Sequence, residues 1–130
     1  MIEQLNPKQA WELMRQNSKA VIVDVRTKIE HGFVGHPPGA VLIPWKEGPD
    51  WQLNPNFIGE VKQAVPDIEA PVLLLCRSGQ RSQDAAVALE QAGYRHLVNI
   101  VEGFEGPLDE NRHRGNLGGW RFHGLPWEQS

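Results

Sequence analysis

Cysteine is nearly absent from this chain of 130 residues: the one thiol is Cys76. A single thiol excludes an intrachain disulfide and fits a reducing compartment, so a cytoplasmic location is expected. Anything Cys76 carries must pass to an outside acceptor, or across a subunit boundary. Long apolar runs are missing as well, and none approaches the roughly 18 residues of a membrane span. The opening residues, MIEQLNPKQAWELM, hold no basic segment followed by an apolar one, so no secretory signal and no membrane partner are expected. Basic charge is not in excess: the net charge is −3 and the pI near 5.9, which argues against a nucleic-acid partner. Five histidines, at positions 31, 36, 96, 113 and 123, lack the paired spacing of zinc motifs, so no metal is expected. No phosphate-binding glycine signature, no Ser-His-Asp pattern, no internal repeat and no low-complexity stretch occurs. No cofactor is expected.

What is present suits a packed globular domain. Hydrophobic residues make up 40% and charged residues 22%. A chain of this length fits one domain, 1–130, able to bury about two-thirds of its surface. Asn6 and Pro7 form an N-cap and first-turn pair for a helix reaching about Asn17, with Ala10, Leu13 and Met14 as its apolar stripe and Trp11 at its edge. Residues 20–25 read as a strand buried on both faces. Glycine and proline make 31–39 a loop, and 41–43 is a short strand ended by Pro44. Residues 45–55 read as a loop anchored by Trp45 and Trp51. A helix over 56–65 stops at Pro66. A strand over 72–75, a helix over 82–92 and a strand around 97–101 follow. This alternation predicts an α/β fold with a largely parallel central sheet flanked by helices.

The segment PVLLLCRSGQRSQDAAVALEQAG, 71–93, concentrates the chemistry. Four apolar residues form a run short enough for a buried strand, and Cys76 ends it. A polar loop of Arg77, Ser78, Gly79, Gln80 and Arg81 leads into a helix whose Ala85, Ala88, Leu89 and Ala92 share one face, with Gly93 at its end. Free N–H groups of the loop and first turn, the positive end of the helix dipole and two guanidiniums converge there. Such a setting favours the thiolate, the nucleophilic form of cysteine. A small buried hydrophobe is the commonest use of a lone cysteine, but a loop with two arginines, a serine and a glycine argues for reactivity. Ligands of open α/β sheets bind beyond the carboxyl ends of the strands. Cys76 ends one strand and Asp24 to Arg26 end another, which places both at one rim.

CRSGQRS over 76–82 resembles the active-site loop of the rhodanese-like sulfurtransferases. VIVDVR over 21–26, continued by Glu30, resembles the family's "DVR…E" element. GHPPGA over 35–40 resembles its "GH-x-PGA" element, and GGWRFHGLP over 118–126 its closing "GW…GLP" segment. Together these motifs span 21–126 in the family's order. The resemblance implies that Cys76 takes a sulfane sulfur from a small anionic donor such as thiosulfate, forms a persulfide and passes the sulfur to a thiol or cyanide acceptor, or to a protein acceptor. Backbone N–H groups from Arg77 to Ser82 would cradle the terminal sulfur, each such donor being worth about 3–4 kcal/mol. Arg77 and Arg81 are the candidate cations for an anionic donor, the alternative being that one is solvated and the other ties the loop to a nearby carboxylate. For Arg77 both readings stay open, and for Arg81 the internal structural bond is favoured. Many family members carry a cation two positions after the cysteine; here Ser78 stands there, which leaves the donor's partner open. Ser78 and Ser82 carry hydroxyls that could reach the sulfur, although a helix N-cap is the simpler role for Ser82. Gly79 supplies a backbone angle that other residues avoid. Asp24, Arg26, Glu30 and His36 read as structural support: Arg26 and Glu30 as a pair at i,i+4, Asp24 as an acceptor for loop backbone, and His36 as a holder of its own loop.

The family pattern is interrupted by FEGPLDENRHRGNL over 104–117, an extra loop expected either to border the active-site mouth or to be solvated surface. Two other functions compete. One is a sulfur-relay or protein-binding module with little turnover of its own. The other is a phosphatase or arsenate reductase, whose loop has five residues between cysteine and arginine. Here the sixth residue after Cys76 is Ser82 and the arginine comes one earlier, a shorter loop that suits a sulfur atom better than a phosphate.

Overall fold

The computed structural model describes residues 1–130. Four strands of four residues, β1 (Ile2–Leu5), β2 (Val21–Asp24), β6 (Val72–Leu75) and β7 (Leu97–Ile100), join the two-residue β3 (Val41–Leu42) in one sheet. Its order is β1-β7-β6-β2-β3, and every pairing is parallel. Three helices connect the strands: α1 (Pro7–Gln16), α2 (Phe57–Ala64) and α3 (Gln80–Gln91).

Strand alternation distributes the core. In β6, Val72 and Leu74 join Phe57 and Val61 of α2 and Ala85, Ala86 and Leu89 of α3 in one buried layer. Leu73 and Leu75 face the opposite layer, where Ala10 of α1 packs with Ile22, Val98, Phe104 and Trp120. The expected helices therefore cover both faces of the sheet. Cys76 continues the first alternation and belongs to the α2–α3 layer.

Local chemistry explains the element ends. Asn6 accepts the Gln9 N–H at 2.8 Å and the Gln9 side chain accepts the Asn6 N–H at 3.0 Å, a reciprocal cap that starts α1. Gly93, at φ +104°, ends the turn after α3 in a conformation that disfavours side chains. Helix α3 starts at Gln80, two residues earlier than the composition suggests, and its N-cap is Gly79 rather than Ser82.

Three features were not apparent in the sequence. Strand β1 has only two half-buried positions, too few for a visible alternation, and exists because β7 offers it a parallel partner. The 45–55 segment is a small antiparallel hairpin of β4 (Lys46–Glu47) and β5 (Gln52–Leu53). Within 31–39, where a loop was expected, Glu30–Val34 forms a π-helical turn closed by the Gly35 N–H on the Glu30 carbonyl at 3.1 Å.

After β7 the chain folds back beneath the cysteine loop without regular structure. The N–H of Phe104 bonds the Cys76 carbonyl at 2.8 Å, and those of Glu105 and Gly106 bond the Arg77 carbonyl at 3.0 and 3.2 Å. This close approach requires Gly103, at φ +63°: a Cβ there would lie 2.5 Å from backbone atoms of Cys76 and Arg77. We expect Gly103→Ala to lower unfolding free energy by about 2–3 kcal/mol, since both φ and space oppose a side chain. Urea unfolding of the variant beside the parent protein checks this.

Candidate active site

The site is assembled by the carboxyl ends of β6 and β2, the first turn of α3 and the π-helical turn. Cys76 is 1% exposed. Its Sγ accepts the Gly79 N–H at 3.0 Å, an inward turn allowed by the left-handed φ of +115° at Gly79. Ser82, fully buried, places its Oγ 3.2 Å from the same sulfur. This corrects the expected N-cap role: Ser82 lies in the first turn and its hydroxyl faces inward. The N–H groups of Gln80, Arg81 and Ser82 lie in that turn, where intrahelical acceptors do not exist.

Arg81 and Glu30, 51 residues apart, form a two-pronged pair at 2.8 and 2.9 Å. Thr27 donates its backbone N–H and its hydroxyl to Glu30 Oε1, both at 3.1 Å. Burial alone would raise Glu30, but Arg81 and Thr27 outweigh it and hold the carboxyl below its ordinary value. Burial would likewise lower Arg81, yet Glu30, Cys76 and Asp24 hold its guanidinium above the ordinary value. The indole of Trp51 lies against Arg81, 5.1 Å from ring centroid to guanidinium carbon.

The expected Arg26–Glu30 pair does not form. Arg26 instead reaches back to Asp24, with Nε and Nη2 at 2.9 and 2.8 Å, and both side chains are fully buried. The chain bends just past the end of β2, and the Asp24 carboxylate closes that turn on the Arg26 N–H, which brings the guanidinium back onto the same carboxylate. Asp24 also accepts the Arg26 N–H at 3.1 Å and His31 Nδ1–H at 2.7 Å. Burial pushes the Asp24 carboxyl up, and the bonds from His31 and Arg26, with the Arg26 charge, bring it below its ordinary value. Arg26 Nη2 donates to the Gly35 carbonyl at 2.5 Å. Its Nη1 is buried without a hydrogen-bond acceptor, and the guanidinium lies over the Phe104 ring at 4.6 Å, which supplies π-electron density instead. His36 stacks on His31 at 3.8 Å and donates Nδ1–H to the His31 carbonyl at 2.7 Å.

Arg77, Ser78 and Gln80 have exposed side chains, and Gln80 points along the helix to Asp84 at 3.2 Å. Trp45 packs edge-on against Phe57 at 5.1 Å, as a loop anchor should. Trp51 does not: it is 47% exposed at φ +56°, beside Arg81. Asn99, absent from the sequence reading, lies under Ser82. A signal existed, for it is the one polar residue of the otherwise apolar β7. The largest hollow, about 530 Å³, is lined by Pro55, Asn56, Gly59, Glu60 and Gln63 and includes no residue of the cysteine loop. The two smaller hollows likewise include no residue of that loop. No group of three or more His, Cys, Asp or Glu side chains converges as metal ligands would. No helix is long and apolar enough to cross a membrane.

A cysteine cradled between a parallel strand and a helix N-terminus defines a class, and comparison with known proteins agrees. The model of the rhodanese-like domain matches residues 6–109, and the chain belongs to that family. An uncharacterized protein of Rickettsia conorii is 36% identical over 124 residues, 92% of this chain and 91% of its own length. Thiosulfate sulfurtransferase GlpE of Haemophilus influenzae is 29% identical over 104 residues, 80% of this chain and 86% of its own. Among solved structures, Rv0390 of M. tuberculosis superposes with a TM-score of 0.88 at 42% identity, covering 98% of both chains. A rhodanese with anions from E. coli shares the fold, with a TM-score of 0.56 at 24% identity over 85% of this chain and 99% of that one.

The two depressed carboxylates make stability fall in acid. Their contribution is complete above the ordinary values of 4.5 for Glu30 and 3.8 for Asp24, and is lost as pH falls through the lower folded values. Glu30→Gln is expected to flatten the upper part of that decline, read as urea midpoints between about pH 3 and 5. Asp24→Asn leaves the Arg26 charge buried without its counter-ion and should cost about 3–5 kcal/mol near neutral pH, measured in the same way.

Proposed function

We propose that the protein is a sulfurtransferase working through a persulfide on Cys76. The observation that carries this reading is the sole thiol, enclosed by the Gly79 N–H and the Ser82 hydroxyl at the start of α3. In the first step the Cys76 thiolate attacks the outer sulfur of a donor such as thiosulfate. The donor's S–S bond breaks, sulfite departs with the bonding pair, and Cys76 carries the persulfide. In the second step a thiolate or cyanide attacks the terminal sulfur, and the pair of the breaking bond returns to Cys76. Two displacements on one nucleophile imply ping-pong kinetics. The N–H groups from Arg77 to Ser82 stabilise the negative charge on the terminal sulfur.

Burial and charge both favour sulfur over a tetrahedral oxyanion. A thiol 1% exposed suits the slender end of a sulfane donor. Arg81, the cation that would wrap a phosphate, is committed to Glu30 by two hydrogen bonds. Arg77, exposed on the loop, is the cation free to meet the donor's oxygens.

Incubation with thiosulfate, or with a polysulfide, is expected to add one reducible sulfur atom to the intact mass. The gain should be absent from Cys76→Ser; its absence from the parent protein with both donors overturns the reading. Arg77→Ala is expected to raise the thiosulfate KM about ten- to a hundredfold, the worth of a charged hydrogen bond, with a smaller change in kcat.

A further inference from the structure

Beneath the cysteine, a chain of hydrogen bonds runs from the sulfur to the surface of the edge strand. Ser82 Oγ is 2.5 Å from Asn99 Oδ1. Asn99 Nδ2 donates to Gln4 Oε1 at 2.9 Å and to the Gly79 carbonyl at 3.3 Å. Gln4 Nε2 in turn donates to Gln83 Oε1 at 2.8 Å.

Two facts orient the Asn99 amide. The Gly79 carbonyl can only accept, so the NH2 group must face it and the amide oxygen must face Ser82. The 2.5 Å separation also falls in the range of O–H···O bonds and below that of N–H···O bonds. Ser82 therefore donates its only proton to Asn99. Toward Cys76, 3.2 Å away, it presents lone pairs, which suit a thiol that donates S–H. Once the thiol loses its proton to solvent, the sulfur can only accept. The Gly79 N–H already serves it, and the Ser82 hydroxyl can add a second bond only by turning away from the Asn99 oxygen and leaving it without a donor. One hydroxyl proton thus has two claimants, the amide oxygen and the ionised sulfur.

We propose that Asn99 is a positioning residue that fixes the direction of the Ser82 hydroxyl, and through it how readily Cys76 becomes the attacking thiolate. The inference rests on the reading of Cys76 as the nucleophile. No bond to Ser82 or Asn99 is made or broken; the thiol proton goes to solvent and the hydroxyl rotates. The charged group that faces the sulfur is Arg81 of α3, itself paired with Glu30 of the π-helical turn and within reach of Asp24, which holds Arg26 and His31; Arg77 is exposed on the cysteine's own loop. All of them are common to the variants below, so a change on substitution isolates the hydroxyl.

The test is a pH titration of the thiolate by its ultraviolet absorption, with Cys76→Ser as blank and circular dichroism to verify folding. Asn99→Leu removes the competing oxygen at similar size. Its titration midpoint is expected to move about one pH unit toward acid, a tenfold gain in thiolate at a pH below the midpoint. In the Ser82→Ala background the same substitution should move it little, because no hydroxyl remains to redirect. No shift in Asn99→Leu, or an equal shift without Ser82, overturns the proposal. Should Asn99→Leu not fold, Gln4→Leu on the exposed edge strand releases the same amide. A smaller acid shift is then expected in that variant, and its absence overturns the proposal. The titration reads the thiol before any donor is added. Its outcome is therefore independent of whether Cys76 accepts sulfur, which the thiosulfate mass gain decides.

Discussion

The two-pronged bond between Arg81 and Glu30 joins the start of α3 to the turn that follows β2, 51 residues away in the chain. It is the one long-range ion pair at the cysteine loop in which both partners are mostly enclosed, at 14% and 19% side-chain exposure. Thr27 secures Glu30 from below and Trp51 covers Arg81 from the side. The pair thus sets where the first turn of α3 stands relative to the strand ends, and that turn carries both Ser82 and the loop N–H groups. An Arg81 engaged in this way cannot also be a mobile anion clamp. Arg77, by contrast, is exposed on the loop.

A second layer of support comes from backbone rather than charge. The carbonyls of Cys76 and Arg77 accept N–H groups from Phe104, Glu105 and Gly106, so the floor of the loop is fixed by the start of the inserted segment. On the β2 side, Asp24 gathers Arg26 and His31 while Phe104 covers the guanidinium. The buried ion pair is weak evidence for stability, because desolvation offsets much of the attraction. It does specify geometry: Arg26 also holds the Gly35 carbonyl, and His36 in the next position stacks on His31. The motif residues of 24–36 thus serve as a frame that ends at Glu30.

Much of this was legible in the residues alone. The strand over 72–75 announced itself by four apolar residues, and α1 by Asn6, Pro7 and the apolar stripe behind them. Errors arose where local spacing competed with tertiary partners. Arg26 and Glu30 have helical spacing, but Arg26 sits in the bend that follows β2, before any helical turn begins, and finds Asp24 instead. Ser82 has the chemistry of an N-cap, but Gly79 already turns the chain and Ser82 falls within the first turn. Trp51 looked like an anchor because tryptophans usually are buried, and it lies half exposed against Arg81. Strand β1 offers little hydrophobic pattern and forms because β7 leaves an edge to be paired.

By itself the sequence determined the parallel α/β class, the lone nucleophilic candidate Cys76 and the loop that cradles it. These follow from short-range facts: alternation, helical spacing, and a glycine where the backbone must turn. Only the tertiary structure decided which partner each charged or polar side chain takes. It paired Arg81 with Glu30 and Arg26 with Asp24, and brought Asn99 beneath Ser82 from a strand 17 residues further on. Partner choice at such distances depends on strand order and register. Those are settled by burial of the whole sheet, not by the identity of any one residue.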